Sequence, residues 1–204
     1  MRDEMKCSVI LAHPHPGSFN HAIAEMVTGT LRQNGHEVCF HDLYAEGFDP
    51  VLPRDEIPRG AVLPDNIARY CAEIAAADGI TFVHPDWWGM PPAILKGFID
   101  RIFRPGIAYR FQEDDSGEGI PIGLLRAKAV LVLNTSNTPS CREQEVFGDP
   151  LERLWKDCIC GFSGVPLCHR RMFGVIVTSR SEQRIQWLEE VQELVNDLFP
   201  SDTS

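Results

Sequence analysis

The apolar positions fall into two textures: short runs rich in β-branched residues, and longer stretches with a large hydrophobic residue every three or four positions. The first short run, Cys7–Ala12, predicts a strand. A helix follows over about Ser18–Asn34, with Ile23, Met26, Val27 and Leu31 inward and Gly35 as its stop. A second strand spans about Glu37–Leu43, and Pro50, Pro53 and Pro58 then mark a link. Pro64 opens a helix with Ile67, Cys71 and Ile74 inward. A third strand, Gly79–His84, ends in Pro85-Asp86-Trp87-Trp88-Gly89, and Pro92 starts a helix carrying Ile94, Leu95, Phe98 and Ile102. Gln112–Gly119 is acidic and glycine-containing and reads as an exposed loop or hairpin tip.

A fourth strand, Ala129–Asn134, is nearly all apolar, as a strand buried on both faces should be. Asp149-Pro150-Leu151-Glu152 combines an N-cap residue, a proline at the first helical position and a glutamate three on, which predicts a helix start. That helix is expected to bury Leu151, Leu154, Trp155, Cys158 and Phe162. A fifth strand is expected over about Arg171–Thr178, then a last helix from Ser181 with Ile185, Leu188, Val191, Leu194, Val195 and Leu198 inward. Five strands alternating with five helices predict a doubly wound parallel α/β sheet with helices on both faces. Right-handed crossovers make 2-1-3-4-5 the economical strand order. No repeat or linker divides the chain, so one domain over residues 1–204 is expected.

Composition narrows the function. The formal charge of −10 disfavours nucleic acid and anionic membrane surfaces, although a local patch of N–H groups still attracts phosphate. No apolar run reaches the roughly 18–20 residues of a membrane span, although a membrane-protein partner stays open. Met1–Lys6 is short and of mixed charge, unlike a secretory leader, and the seven cysteines are scattered without a C-x-x-C pair. Reduced cysteines and a cytoplasmic location are therefore expected.

In a doubly wound sheet, ligands sit beyond the carboxyl ends of the strands where the strand order reverses. The unusual residues lie in the three loops that meet there. Loop one, His13-Pro14-His15-Pro16-Gly17-Ser18-Phe19-Asn20, runs into a helix whose N-terminus offers unpaired N–H groups and partial positive charge to a phosphate. Ser18 taken alone reads equally as a simple N-cap. Loop two brings Trp87 and Trp88 as a flat apolar wall suited to a flavin ring, and either tryptophan taken alone reads as core. Loop three, Asn134-Thr135-Ser136-Asn137-Thr138, is a polar run after an apolar strand, able to hydrogen-bond the ring edge or to act as an ordinary turn.

Ala12-His13 with Ser18-Phe19-Asn20, Pro92-Ala93-Ile94-Leu95-Lys96-Gly97, and Ala108-Tyr109 after Phe103 together resemble the flavodoxin-like NAD(P)H:quinone oxidoreductases. The resemblance implies a two-electron flavoenzyme in which NADH or NADPH gives hydride to the flavin and a quinone-like acceptor then takes it. It assigns the flavin phosphate to His13, Ser18, Phe19 and Asn20, the ring to Pro85, Asp86, Trp87, Trp88 and Gly89, and its polar edge to Asn134, Thr135, Ser136 and Asn137. It further implies a homodimer in which Tyr109, Phe111 and Phe162 line the partner's pocket. FMN is expected, with FAD as the alternative, because the chain lacks the C-terminal extension of larger members.

Two departures stand out. Some relatives carry a tyrosine and a histidine after loop three that manage charge on the reduced flavin, and Ser140–Phe147 contains neither. Asp86 stands where relatives carry an apolar or amide side chain, and a carboxylate there disfavours an anionic reduced flavin. Among rivals, a metal site from His13, His15, His84 and Asp86 lacks tight ligand spacing, so no metal is expected. No G-x-S-x-G elbow follows a strand, which argues against a serine hydrolase. The alternative on the same fold is a flavin-binding electron carrier, or a regulatory subunit such as an ancillary protein of a potassium efflux system.

Overall fold

The computed structural model describes residues 4–112, 119 and 121–201. Its main sheet contains β1 (Lys6–Leu11), β2 (Glu37–Asp42), β3 (Gly79–Pro85), β6 (Ala129–Ser136) and β7 (Leu167–Gly174), all parallel and ordered β2-β1-β3-β6-β7. Counting only these five, the order is the expected 2-1-3-4-5. A separate two-residue antiparallel pair, β4 (Tyr109–Arg110) with β5 (Ile122–Gly123), flanks the acidic loop, most of which lies outside the described residues.

The period-two geometry of the strands builds two apolar layers. Cys7, Val9 and Leu11 of β1 and Leu131 and Leu133 of β6 meet Ile23, Val27 and Leu31 of α1 (Phe19–Gln33) and Val191 and Val195 of α6 (Ser181–Leu198). Ile10, Phe82, Val130 and Val132 point the other way. They pack on α2 (Asp65–Ala76), α3 (Ala93–Ile102) and the segment opened by α5 (Pro150–Arg153). Each fully buried Leu, Ile or Phe side chain contributes about 1.5–3 kcal/mol. No helix among the described residues is long and apolar enough to cross a membrane.

Four local readings change. Strand β7 begins earlier than the sequence suggests, pairing with β6 from Leu167 opposite Ala129 to Gly174 opposite Ser136. As an edge strand it tolerates Cys168-His169-Arg170-Arg171, whereas the apolar Val175–Val177 run that suggested a strand lies beyond it, with Val177 exposed. After α5 the chain winds as a π-helix over Leu154–Gly161, so the inward positions become Trp155, Ile159 and Cys160. Cys158 and Phe162 consequently emerge on the surface. In α6, Trp187 takes the inner position expected of Ile185, packing against Phe19 and Phe173 at ring separations of 5.8 and 5.9 Å. An additional short helix, α4 (Ser140–Glu145), follows loop three.

Candidate functional site

At the carboxyl edge of the sheet, the loops after β1, β3 and β6 enclose a cleft of about 710 Å³. Loop one closes on itself, with the Ser18 N–H donating to the His15 carbonyl at 3.2 Å and the His15 N–H to His13 Nδ1 at 3.2 Å. Ser18 occupies the N-cap position of α1 without capping it. Its hydroxyl lies 2.9 Å from His21 Nδ1, while His21 Nε2 lies 3.2 Å from the Asp42 carboxylate. Asp42 can only accept, so in the neutral ring the proton sits on Nε2 and Ser18 donates to Nδ1. Among the described residues, the N–H groups of Phe19 and Asn20 have no acceptor, and the first turn of α1 carries no acidic residue. The positive end of the helix therefore stays uncompensated at the cleft.

Asn20 is 3% exposed and donates through Nδ2 to Thr135 Oγ1 at 2.9 Å, tying loop one to loop three. Its Oδ1 is buried with no donor. An orphaned acceptor beside free helix N–H groups fits a ligand that carries both hydroxyl or N–H donors and an anion, which is the chemistry of a flavin mononucleotide.

Loop two is a two-residue hairpin. Trp87 and Met90 exchange N–H to carbonyl bonds at 3.0 and 3.2 Å, with Trp88 at φ 61° and Gly89 at φ 69°. Positive φ at both central positions is the type I′ turn. Glycine is required at the second of them, since a Cβ on Gly89 would lie 2.7 Å from Pro150 Cγ. The Trp88 ring is wholly exposed, at 101% of its reference area, and Trp87 lies 6.4 Å from the His13 ring. Asp86 braces the turn, with its Oδ1 accepting from the Gly89 N–H at 2.9 Å.

Burial displaces His13 and Asp86 in the cleft, and His84 behind it, from their usual ionisation. Burial lowers the pKa of the His13 imidazole, keeping it neutral at pH 7. Burial first, and the Glu143 carboxylate second, push Asp86 up to about 6 against the pull of the Gly89 N–H and Arg170. His84 is fully buried and lowered to about 4 by desolvation. Its Nε2 accepts from Trp155 Nε1 at 3.1 Å, so the ring proton sits on Nδ1 and is donated to the Pro85 carbonyl at 2.9 Å. With both nitrogens engaged, His84 is unavailable to a metal.

Twelve of the thirteen residues expected around the cofactor line the cleft: His13, Ser18, Phe19, Asn20, Pro85 through Gly89, and Thr135, Ser136 and Asn137. Asn134 does not, because its side chain turns beneath the edge to accept from Arg170 Nε at 2.9 Å. Tyr109, Phe111 and Phe162 form their own cluster outside the cleft, with ring separations of 5.7 and 4.8 Å from Tyr109. The sequence reading missed Glu143, Phe147, Pro150 and Ile176, which complete the wall together with Thr138 of loop three. Glu143 sits in a polar stretch with no helical apolar period, and Ile176 is brought in by its N–H bond to the Ser136 carbonyl at 3.1 Å.

The family model described as a flavodoxin-like fold matches residues 5–195. An uncharacterized NAD(P)H oxidoreductase of Haemophilus influenzae is 38% identical over 123 residues, which span 59% of this chain and 58% of that protein. NAD(P)H dehydrogenase [quinone] 1 of Rattus norvegicus is 29% identical over 205 residues, 89% of this chain and 73% of the rat protein. The solved NAD(P)H:quinone oxidoreductase of Methanothermobacter marburgensis superposes with a TM-score of 0.79 at 25% identity, covering 96% of this chain and 98% of its own. Sheet order, helix layers and strand-edge cleft fall within one matched span, and the chain belongs to the flavodoxin-like fold family.

Proposed function

We propose that this protein is an FMN-dependent NAD(P)H oxidoreductase that passes hydride to quinone-like or other small electrophilic acceptors. The observation that carries the reading is the buried, donorless Asn20 Oδ1 beside the free N–H groups at the start of α1, in a cleft walled by Trp87 and Trp88. The names of the similar Haemophilus, rat and Methanothermobacter proteins support the reaction class. His13, Ser18, Phe19 and Asn20 hold the phosphate end. Pro85 through Gly89 lie along the ring, and Thr135, Ser136 and Asn137 hold its polar edge. Asn134 acts from behind, fixing β6 to Arg170.

Bound flavin supplies the two-electron chemistry, taking hydride from a nicotinamide and returning it to the acceptor. The chain's own contribution is to orient both reactants against the tryptophan wall and to keep His13 neutral beside the donor and acceptor. Tyr109, Phe111 and Phe162 form an aromatic face that, in a homodimer, borders the partner's cleft. Seven free cysteines fit a reducing, cytoplasmic compartment.

The test is an absorbance spectrum of the protein reconstituted with FMN, and in parallel with FAD, before and after anaerobic NADH or NADPH. Flavin bands that bleach and return on adding a quinone support the assignment. Bands that fail to bleach favour a carrier, and failure to retain either flavin overturns it. Asn20→Leu should reduce FMN retention, and unchanged FMN content in that variant would remove loop one from the site.

A further inference from the structure

Ser18 lines the cleft, yet its hydrogen bonds leave it turned away from an anion there. Its Oγ lies 2.9 Å from His21 Nδ1, and His21 Nε2 lies 3.2 Å from Asp42 Oδ2. The other Asp42 oxygen accepts from the Tyr44 and Ala45 N–H groups, at 3.1 Å each, which fixes the carboxylate. A carboxylate only accepts, so a neutral His21 keeps its proton on Nε2, and Nδ1 takes the single hydroxyl hydrogen of Ser18. Ser18 then presents lone pairs to the cleft, beside the Phe19 and Asn20 N–H groups that attract an anion.

An anion that accepts from Ser18 requires one hydrogen more than this chain of bonds holds. With the Ser18 hydrogen pointing into the cleft, His21 Nδ1 must donate to Oγ while Nε2 still donates to Asp42. Moving the existing ring proton to Nδ1 would instead set a bare Nε2 lone pair against the Asp42 carboxylate. Charge points the same way, since neutral His21 with Asp42 carries one net negative charge beside an incoming phosphate, and an imidazolium cancels it. His13 stands 6.1 Å from the His21 ring, centroid to centroid, and burial already keeps it neutral. His15 on loop one and Glu25, one turn along α1, are exposed, and Asp42 at the end of β2 is the carboxylate bonded to the ring. The donorless Asn20 Oδ1 in the same cleft is a separate sign that a ligand belongs there.

We propose that His21 is a positioning residue that takes up one proton on receiving the flavin phosphate, and as an imidazolium between Asp42 and Ser18 turns the Ser18 hydroxyl onto that phosphate. The proposal rests on the functional reading above and deepens it, because the terminal phosphate of FMN is the group that brings the proton in. At pH 8 a free imidazole is neutral and a phosphomonoester is a dianion, so the proton comes from solvent and returns to it when FMN leaves.

Calorimetric titration of the apoprotein at pH 8, in buffers of different ionisation heat, counts the proton. Uptake should be about one per FMN, and absent with riboflavin, which lacks the phosphate. FMN affinity, read by fluorescence, should fall roughly three- to tenfold between pH 7 and pH 8. Nitrogen NMR of ring-labelled histidine, with His21→Gln to assign the signal, should show an Nε2–H ring in the apoprotein and a doubly protonated ring with FMN bound. Asp42→Asn separates this role from a structural one. The asparagine oxygen still accepts from Tyr44 and Ala45, and its Nδ2 donates to His21 Nε2, so a neutral ring can carry its proton on Nδ1. In that variant the proton uptake should vanish and FMN affinity should no longer change between pH 7 and pH 8. Absent uptake in wild type, equal uptake with riboflavin, a neutral His21 in the FMN complex, or an unaltered pH dependence in Asp42→Asn overturns the proposal. Failure of the wild type to bind FMN defeats the functional reading, and inorganic phosphate then becomes the probe. Its addition to the apoprotein should still protonate His21, and an unchanged ring spectrum overturns the proposal as well.

Discussion

Gly97 and Gly29 both lie inside helices, where exchanging glycine for alanine ordinarily stabilises by about 0.8–1 kcal/mol. The structure predicts opposite signs at the two positions. A Cβ on Gly97 would lie 2.1 Å from the Pro50 carbonyl oxygen, 2.5 Å from its Cα and 2.4 Å from its Cβ. Two of these atoms are backbone, and the segment is pinned next door, where Arg101 Nη1 donates to the Asp49 carbonyl at 2.6 Å. Helix α3 or the Pro50 link must therefore shift, and overpacking against backbone atoms falls in the upper part of the usual range, about 2–3 kcal/mol. The clash outweighs the propensity gain, so Gly97→Ala should destabilise by roughly 1–2 kcal/mol net, a fall in Tm of about 2–8 °C for a chain of this size. A Cβ on Gly29 meets nothing within 4 Å, so Gly29→Ala should stabilise by about 0.8–1 kcal/mol. Urea denaturation of wild type and both variants decides the matter. A Gly97→Ala protein as stable as wild type, or more so, would refute the close approach of α3 to Pro50.

Trp155→Phe should cost about 1–3 kcal/mol in urea denaturation beyond any lost packing, because the fully buried His84 Nε2 loses its donor; a loss under about 0.5 kcal/mol would contradict the bond. Arg101 makes a buried bidentate pair with Glu56, so Arg101→Met alone should cost about 3–5 kcal/mol, and the double variant with Glu56→Leu should cost less than that single change. Asp86 is raised from its ordinary 3.8 to about 6, so its favourable contribution to stability is full below 3.8 and is lost as pH rises through about 6. Solvent screening at this half-exposed side chain leaves roughly 1 kcal/mol, so Asp86→Asn should be more stable than wild type by that amount above pH 6, with the gap closing near pH 4 in a pH series of urea melts.

The interior strands were legible because burial on both faces demands unbroken apolar runs, as in Val130–Leu133. Strand β7 was not, because an edge position lets Arg170 and Arg171 stand where a central strand would need hydrophobic residues. Trp155 was read correctly as core, but the register beyond it failed. Apolar periodicity presupposes 3.6 residues per turn, and Leu154–Gly161 winds wider. The three loops announced themselves by polar or aromatic residues set directly after apolar strands. The pairs that organise them did not, because they join distant parts of the chain. Ser18, His21 and Asp42 come from a loop, a helix and a strand, and Asn20 meets Thr135 across 115 positions. Asn134 followed the polar pattern of its loop, yet β6 runs two residues further than expected and turns that side chain inward.

Several unfavourable features of the molecule meet at the cleft. Trp88 holds a left-handed backbone conformation, which costs on the order of 1–3 kcal/mol, while its ring buries nothing. Asn20 keeps an acceptor unfilled, Asp86 carries a carboxyl that burial raises well above its usual range, and the start of α1 leaves its N–H groups without partners. Others among the described residues lie outside the cleft: Thr28 Oγ1, Asn134 Nδ2 and Arg170 Nη2 are buried without a partner, and Asp149 holds φ 45°. Each defect at the cleft lowers the stability of the folded chain, and packing alone gives no reason for four of them to meet. A ligand offering a donor, an anion and a flat ring would relieve the unfilled acceptor and the free N–H groups and would cover exposed aromatic surface at once.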